Sequence, residues 1–186
     1  MGLLRGQYAT ACMQPDQKFL AALSTPQVSA SREDMSVDLK TELPNLLPLA
    51  IAWAQGEETK ALDDGTPLSP AGISLAKSAG VMLSDNVRVV LAEKLPYPDH
   101  PLLREAAEQA GMLGPDTVGL TLGYAVFMLA DKSDTRLLSH ELRHVYQYEA
   151  NGGIPGFLPV YLRQVIELGY ADAPFERDAR EHERAR

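Results

Sequence analysis

The residues best able to do chemistry are His140, Glu141 and His144, which stand as H-E-x-x-H inside Ser139–Tyr148. In a helix of 3.6 residues per turn, positions four apart lie one above the other, so both imidazoles can reach one tetrahedral zinc ion. Glu141 then projects beside the pair, where its carboxylate meets a metal-activated water rather than the metal and suits a general base in hydrolysis. A pair of histidines can also sit idle on a solvated face or pack in a core. The core reading is weakened because Leu138, Leu142 and Val145 form an apolar stripe nearly opposite the histidine face.

Two histidines and a water leave a catalytic zinc one protein ligand short. Pro174 begins a helix whose first turn can present Glu176, while an i, i+4 ion pair between Glu176 and Arg180 on a solvated face accounts for the same letters without a metal. Asp172 reads as the better cap for that helix, and Asp172, Asp178 and Glu181 each remain open as the third ligand. Tyr148, one turn beyond His144, and Tyr170, just before the helix of Glu176, are candidate donors to an oxyanion, although a tyrosine also serves as amphipathic core filler. Arg143 is expected to face outward or to pair with an acid. His100, in the loop Pro98-Asp99-His100-Pro101, is a distant ligand or transition-state donor at best and an exposed loop histidine otherwise, and His182 reads as an exposed bystander.

The run His140-Glu141-Leu142-Arg143-His144 resembles the active-site helix of zincin metallopeptidases. Continued through Val145-Tyr146-Gln147-Tyr148 and joined to Gly169-Tyr170-Ala171-Asp172-Ala173-Pro174-Phe175-Glu176, it is similar to small bacterial zinc peptidases of gluzincin type. The resemblance covers roughly the last third of the chain, from about residue 117. It implies zinc held by His140, His144 and Glu176, Glu141 as base, and a peptide or protein as substrate. It also implies that the strand before the metal helix borders the cleft and pairs with an extended substrate. Many gluzincins carry an acidic residue one turn after the glutamate ligand to orient a histidine. Arg180 stands there in this chain, leaving Asp178, Asp172 or Glu181 to take that part. A non-catalytic domain that keeps the metal for folding or partner binding is the alternative from another class.

The elements that must position these residues follow from punctuation and period. A chain of 186 residues, 45% apolar, is long enough for one sizeable core. Residues 1–36 show little periodicity beyond Phe19–Leu23 and read as a loosely ordered arm before a single domain over residues 37–186. Val37 to Glu58 reads as a buried helix that Pro44 starts or Pro48 kinks. Ser69-Pro70 starts a second helix, running to about Ala79 and stopped by Gly80. Val87–Leu91 reads as a strand and Leu102–Ala110 as a helix. Gly119 to Leu129 reads as one strand with Leu120, Leu122, Tyr124, Val126 and Met128 on its large face and Thr121, Gly123 and Ala125 on a small one. The small face leaves room for a substrate backbone, or else the glycines mark bulges or tight packing. The metal helix runs from about Thr135 to Ala150, a packing helix from Phe157 to Leu168, and the charged run Glu176–Arg186 forms a solvated helix. The sum is a compact, helix-rich α+β domain, zincin-like, with a short sheet beside the metal helix.

Composition excludes some partners. A formal charge of −8 with no basic stripe argues against nucleic acid. No segment has the apolar length of a membrane span, and Met1–Thr10 lacks the apolar core of a signal peptide, so a cytoplasmic protein is expected. The lone Cys12 excludes an intrachain disulfide and fits a reducing compartment.

Overall fold

The computed structural model describes residues 37–185, so the expectations for the first 36 residues and for Cys12 lie outside the described residues. The fold is α+β, with six α-helices and a four-stranded mixed sheet among the described residues. The helices are α1 (Leu39–Asp64), α2 (Pro70–Ser78), α3 (Pro101–Gln109), α4 (Thr135–Ala150), α5 (Ile154–Leu168) and α6 (Pro174–Glu181). The strands are β1 (Thr66–Pro67), β2 (Arg88–Ala92), β3 (Gly119–Leu122) and β4 (Ala125–Leu129). No described helix is long and apolar enough to cross a membrane.

The first helix is longer than its prolines foretell. Asp38 caps it by accepting from the backbone of Lys40 and Thr41, and the helix runs through both Pro44 and Pro48 to Asp64, past the expected end near Glu58. Each proline removes a bond to the carbonyl four residues back. Lys40, Pro44 and Pro48 are all exposed, so the released carbonyls of Lys40 and Pro44 lie on the solvent side, where water can replace the lost donors. Ser69 caps α2 as its letters require, its Oγ accepting from Gly72 N at 3.1 Å.

The sheet order is β1-β2-β4-β3, with β2 and β4 parallel and the other pairs antiparallel. The stretch expected to be one strand from Gly119 to Leu129 is instead a tight hairpin. Gly123 turns it with φ +62°, and Leu122 pairs with Ala125. A glycine in the first place of a two-residue loop supplies the positive φ that such a hairpin needs. The Glu58 carboxylate of α1 then accepts from Tyr124 N at 2.9 Å and holds the turn. The reversal also corrects the face assignment. Leu122, Ala125 and Phe127 pack into a cluster with α1, α3 and α5, whereas Val126 and Met128 pack with α2 and with Leu142 and Val145 of α4. The sheet thus lies between two apolar layers, and β3 is left as its edge.

The end of the chain also differs from expectation. Helix α6 stops at Glu181, and the following residues return to α4, where Arg184 N donates to Ser139 Oγ at 2.8 Å. Asp172 does not cap α6; it is exposed in a single 3-10 turn, Tyr170–Asp172, and the residue at the cap position is Ala173.

Candidate metal centre

Helix α4 is fixed at its start by Asp134, which accepts from Leu137 N at 2.8 Å, and along its length by Leu142 and Val145, both fully buried against the sheet. That packing leaves the other side of α4 facing a cleft, and the cleft is where Glu141 and His144 emerge. The His140 and His144 Nε2 atoms lie 3.1 Å apart. Helix α6 brings Glu176 to them, with Oε2 at 3.5 Å from His140 Nε2 and Oε1 at 3.4 Å from His144 Nε2. These three side chains form the one group of metal-ligating type found among the described residues, their ligand atoms all within 4.8 Å of one another.

The outer atoms of each ligand are held. His140 Nδ1 lies 3.1 Å from Glu183 Oε1, and His144 Nδ1 lies 2.8 Å from Gln147 Oε1. Both neighbours are acceptors, so each Nδ1 donates outward and each Nε2 is turned to the centre, where a metal ion would take the place of a proton. Gln147 is oriented in turn by donating to Asp178 Oδ2 at 2.7 Å and to the Phe175 carbonyl at 2.9 Å. Asp178 also takes a two-pronged bond from Arg143, at 2.7 and 2.9 Å, so Arg143 is paired with an acid as expected and Asp178 anchors α6 to α4. Tyr161 of α5 donates to Glu176 Oε1 at 2.7 Å.

This donor set fits a small divalent cation. Bonds of roughly 2.0–2.1 Å in a tetrahedron put ligand atoms about 3.3 Å apart; the two Nε2 atoms stand 3.1 Å apart, and the carboxylate straddles them, with Oε2 at 3.5 Å from His140 and Oε1 at 3.4 Å from His144. Glu176 Oε2 is buried and accepts no hydrogen bond, its neighbours being His140 Nε2 at 3.5 Å and the Arg180 guanidinium at 3.9 Å. A carboxylate oxygen withdrawn from water without a donor is costly unless a positive charge lies against it. The i, i+4 pair of Glu176 with Arg180 therefore exists, but as a long contact at the rim rather than a partner that satisfies the buried oxygen.

The electrostatics carry the same demand. Burial by itself pushes the His144 imidazole towards its neutral form, yet the hydrogen bond and charge of Glu176, with Glu141 behind it, outweigh that and raise it to about 8. Burial likewise pushes the Glu176 carboxyl up, and the adjoining His140 and His144 imidazoles, with the Tyr161 hydroxyl, overcome this and hold it far below the usual carboxylate range. The Glu141 carboxyl is raised, chiefly by burial, with the two histidines and Thr121 opposing. A raised carboxyl in a dry pocket is suited to holding a proton in transit.

Glu141 is placed by the edge strand. Its Oε2 accepts from Thr121 Oγ1 at 2.7 Å, and Gly119 passes so close that a Cβ there would overlap Glu141 Oε1. The two glycines of the hairpin region thus serve close approach and turning.

The remaining expected residues fall as follows. Tyr148 is buried, and its hydroxyl donates to the Thr121 carbonyl at 3.2 Å, so that proton is already engaged. Tyr170 lines the cleft beside Glu176 on the 3-10 turn, its hydroxyl held in the protonated form chiefly by burial and then by the Glu176 charge. Asp172 and Glu181 are exposed and outside the cluster. His100 is the N-cap of α3, its Nδ1 accepting from Leu103 N at 3.4 Å, and His182 leans on the Asp178 carbonyl at 2.8 Å. Tyr161, Gln147 and Glu183 belong to the site and were not anticipated. Gln147 carried a local signal, three residues after His144; the other two depend on how α5 and the end of the chain are folded back.

Compared with protein-family models, with curated proteins and with solved structures, the chain matches none of them.

Proposed function

We propose that this protein is a zinc-dependent metallohydrolase that cuts amide bonds in peptides, with His140, His144 and Glu176 holding the metal and Glu141 as general base. The observation that carries the reading is the convergence of two Nε2 atoms and a buried, donor-less carboxylate oxygen beside a second, independently held glutamate. Nitrogen and carboxylate ligands in this number suit zinc better than calcium or magnesium. When bound, zinc supplies Lewis-acid polarisation of the carbonyl and makes water more acidic.

The chain's own residues supply the rest. Glu141 takes a proton from the attacking water; as the water oxygen bonds to the carbonyl carbon and the C–N bond breaks, that proton passes to the leaving amine, and the second water proton follows, giving a carboxylate and an ammonium. Thr121 keeps Glu141 Oε2 in place during both transfers. Tyr170 is the better candidate donor to the developing oxyanion, since Tyr148 already donates to Thr121. The outer edge of β3, which borders the cleft beside Glu141, offers backbone groups for pairing an extended substrate.

Purified protein should contain one equivalent of zinc by elemental analysis. Glu141→Gln should keep that zinc and lose peptide hydrolysis by a factor of at least about a hundred. Equal hydrolysis by that variant would remove Glu141 from the mechanism. Stoichiometric zinc with no hydrolysis by the unaltered protein would favour the alternative in which the metal holds structure or a partner, a reading to which the satisfied, buried state of Glu141 also lends itself.

A further inference from the structure

We propose that the cleft leading away from the metal centre is a channel for a linear acyl chain, and that the amide cut by this protein is one whose acyl side is such a chain. This deepens the hydrolase reading above and rests on it. The cleft gives the centre of a water-sized sphere about 130 Å³ to move in, inside an envelope of about 1070 Å³ that takes in its open mouth. It follows one face of α1 through Leu39, Leu43, Leu46, Ala50 and Trp53. At 1.5 Å per residue that face is roughly 20 Å long, well beyond the reach of any single amino-acid side chain. An extended hydrocarbon, with C–C bonds near 1.5 Å, advances about 1.25 Å per carbon, so roughly a dozen or more carbons fit along it.

The walls are built to stay open. Ala50 and Ala54 of α1, Ala106 and Ala107 of α3 and Ala110 just after it line the cleft, small side chains that leave room between the helices. Protein interiors pack to crystal-like density, and an apolar space of this size beside a reactive centre is one that a ligand fills. Charge narrows the ligand's chemistry. Among the described residues no Lys, Arg or Asp lines the cleft, and its charge-bearing residues, Glu141, His144 and Glu176, all belong to the metal centre. A carboxylate, phosphate or ammonium lying along α1 would be buried without a partner, at heavy cost. The complementary ligand is polar at one end, at the metal, and an uncharged chain along the rest, where the one buried donor without a partner is Trp53 Nε1.

Trp53 is the sole tryptophan of the chain and lines the cleft, so its emission reports occupancy without any need for turnover. The test titrates the full chain, zinc-loaded, with uncharged N-acyl glycinamides of four, eight and twelve acyl carbons while following Trp53 fluorescence. The expected result is an affinity gain of about fourfold per added methylene until the channel is full. Ala50→Leu and Ala106→Leu, each narrowing the channel, should end that gain at shorter chains, with circular dichroism and zinc content as in the parent. Affinity independent of chain length would overturn the proposal. So would narrowed variants that follow the parent series, or a phenylalanine-bearing peptide amide that binds as tightly as the dodecanoyl probe. Should a narrowed variant fail to fold, the series on the parent protein and the peptide comparison still decide. Binding that follows chain length in a protein that hydrolyses nothing defeats the hydrolase reading and leaves the channel. Hydrolysis of short peptides with no response to chain length defeats the channel alone.

Discussion

Glu183 lies beyond the last helix, yet its carboxylate touches both His140 Nδ1, at 3.1 Å, and Arg136 Nη1, at 2.8 Å. It fixes the tautomer and the tilt of one ligand from a position that no helical spacing connects to that ligand. Removing such an outer partner typically costs ten- to a hundredfold in metal affinity. Glu183→Gln should therefore weaken zinc binding by about that factor in a chelator competition, whereas Glu176→Gln, which replaces a ligand, should abolish stoichiometric zinc. Unchanged affinity in Glu183→Gln would make its contact with His140 incidental. Gly119 makes a different prediction at the same scale. Because any Cβ there meets Glu141 Oε1, Gly119→Ala should force the base out of register and lower hydrolysis at least about tenfold while zinc content stays at the parent level. Loss of zinc together with activity would mean that α4 itself had moved.

At the scale of elements, the hairpin of β3 and β4 is the part that couples the base to the rest of the fold, since Thr121 holds Glu141 and Glu58 of α1 holds the turn. Gly123→Ala puts a side chain into a positive φ and against the Glu58 carboxylate. It should cost about 1–3 kcal/mol in urea unfolding, an effect that Glu58→Ala would only partly share because it removes the acceptor for Tyr124 N and leaves the glycine. A stability change within about 0.5 kcal/mol would show the turn to be unimportant. This hairpin also marks where sequence patterning runs out. Eleven residues from Gly119 to Leu129 alternate well enough to pass for one strand, and only Gly123 followed by Tyr124 hints at a reversal, without the Asn-Gly or Asp-Gly pair that gives the strongest hairpin signal. Helix α4 was readable because its chemistry is local: His140, Glu141 and His144 need nothing but helical period to share a face. Glu176 was readable less from its own surroundings than through the resemblance, since the carboxylate that completes the cluster arrives by the fold of α5 back onto α4. Tyr161 and Glu183 were not readable, because a tyrosine at packing spacing and a glutamate in a charged tail look the same whether or not a tertiary partner waits for them.

At the scale of the whole molecule, the metal centre joins parts that the apolar layers hold only in part. Helix α4 belongs to both clusters, Leu142 and Val145 to one and Tyr148 to the other, so it is secured with or without a cation. Helix α6 is not. It has eight residues, its one apolar anchor of any size is the half-buried Phe175 stacked on Phe157 of α5, and its attachment to α4 is polar, through Asp178 with Arg143 and Gln147 and through the centre itself. A helix this short has little stability of its own. Zinc bound only by the folded form should add RT ln(1 + [L]/Kd), about 4 kcal/mol when free metal stands a thousandfold above Kd. Chelation should consequently lower the unfolding temperature, and the loss should appear first at the end of the chain, as tryptic cleavage after Arg177 and Arg180 in protein whose α4 and sheet still resist digestion. His144→Ala should show the same early cleavage with or without added zinc. If trypsin attacks α6 equally in loaded and chelated protein, the centre does not fasten α6, and Glu176 would have to reach the histidines for some reason other than a shared cation.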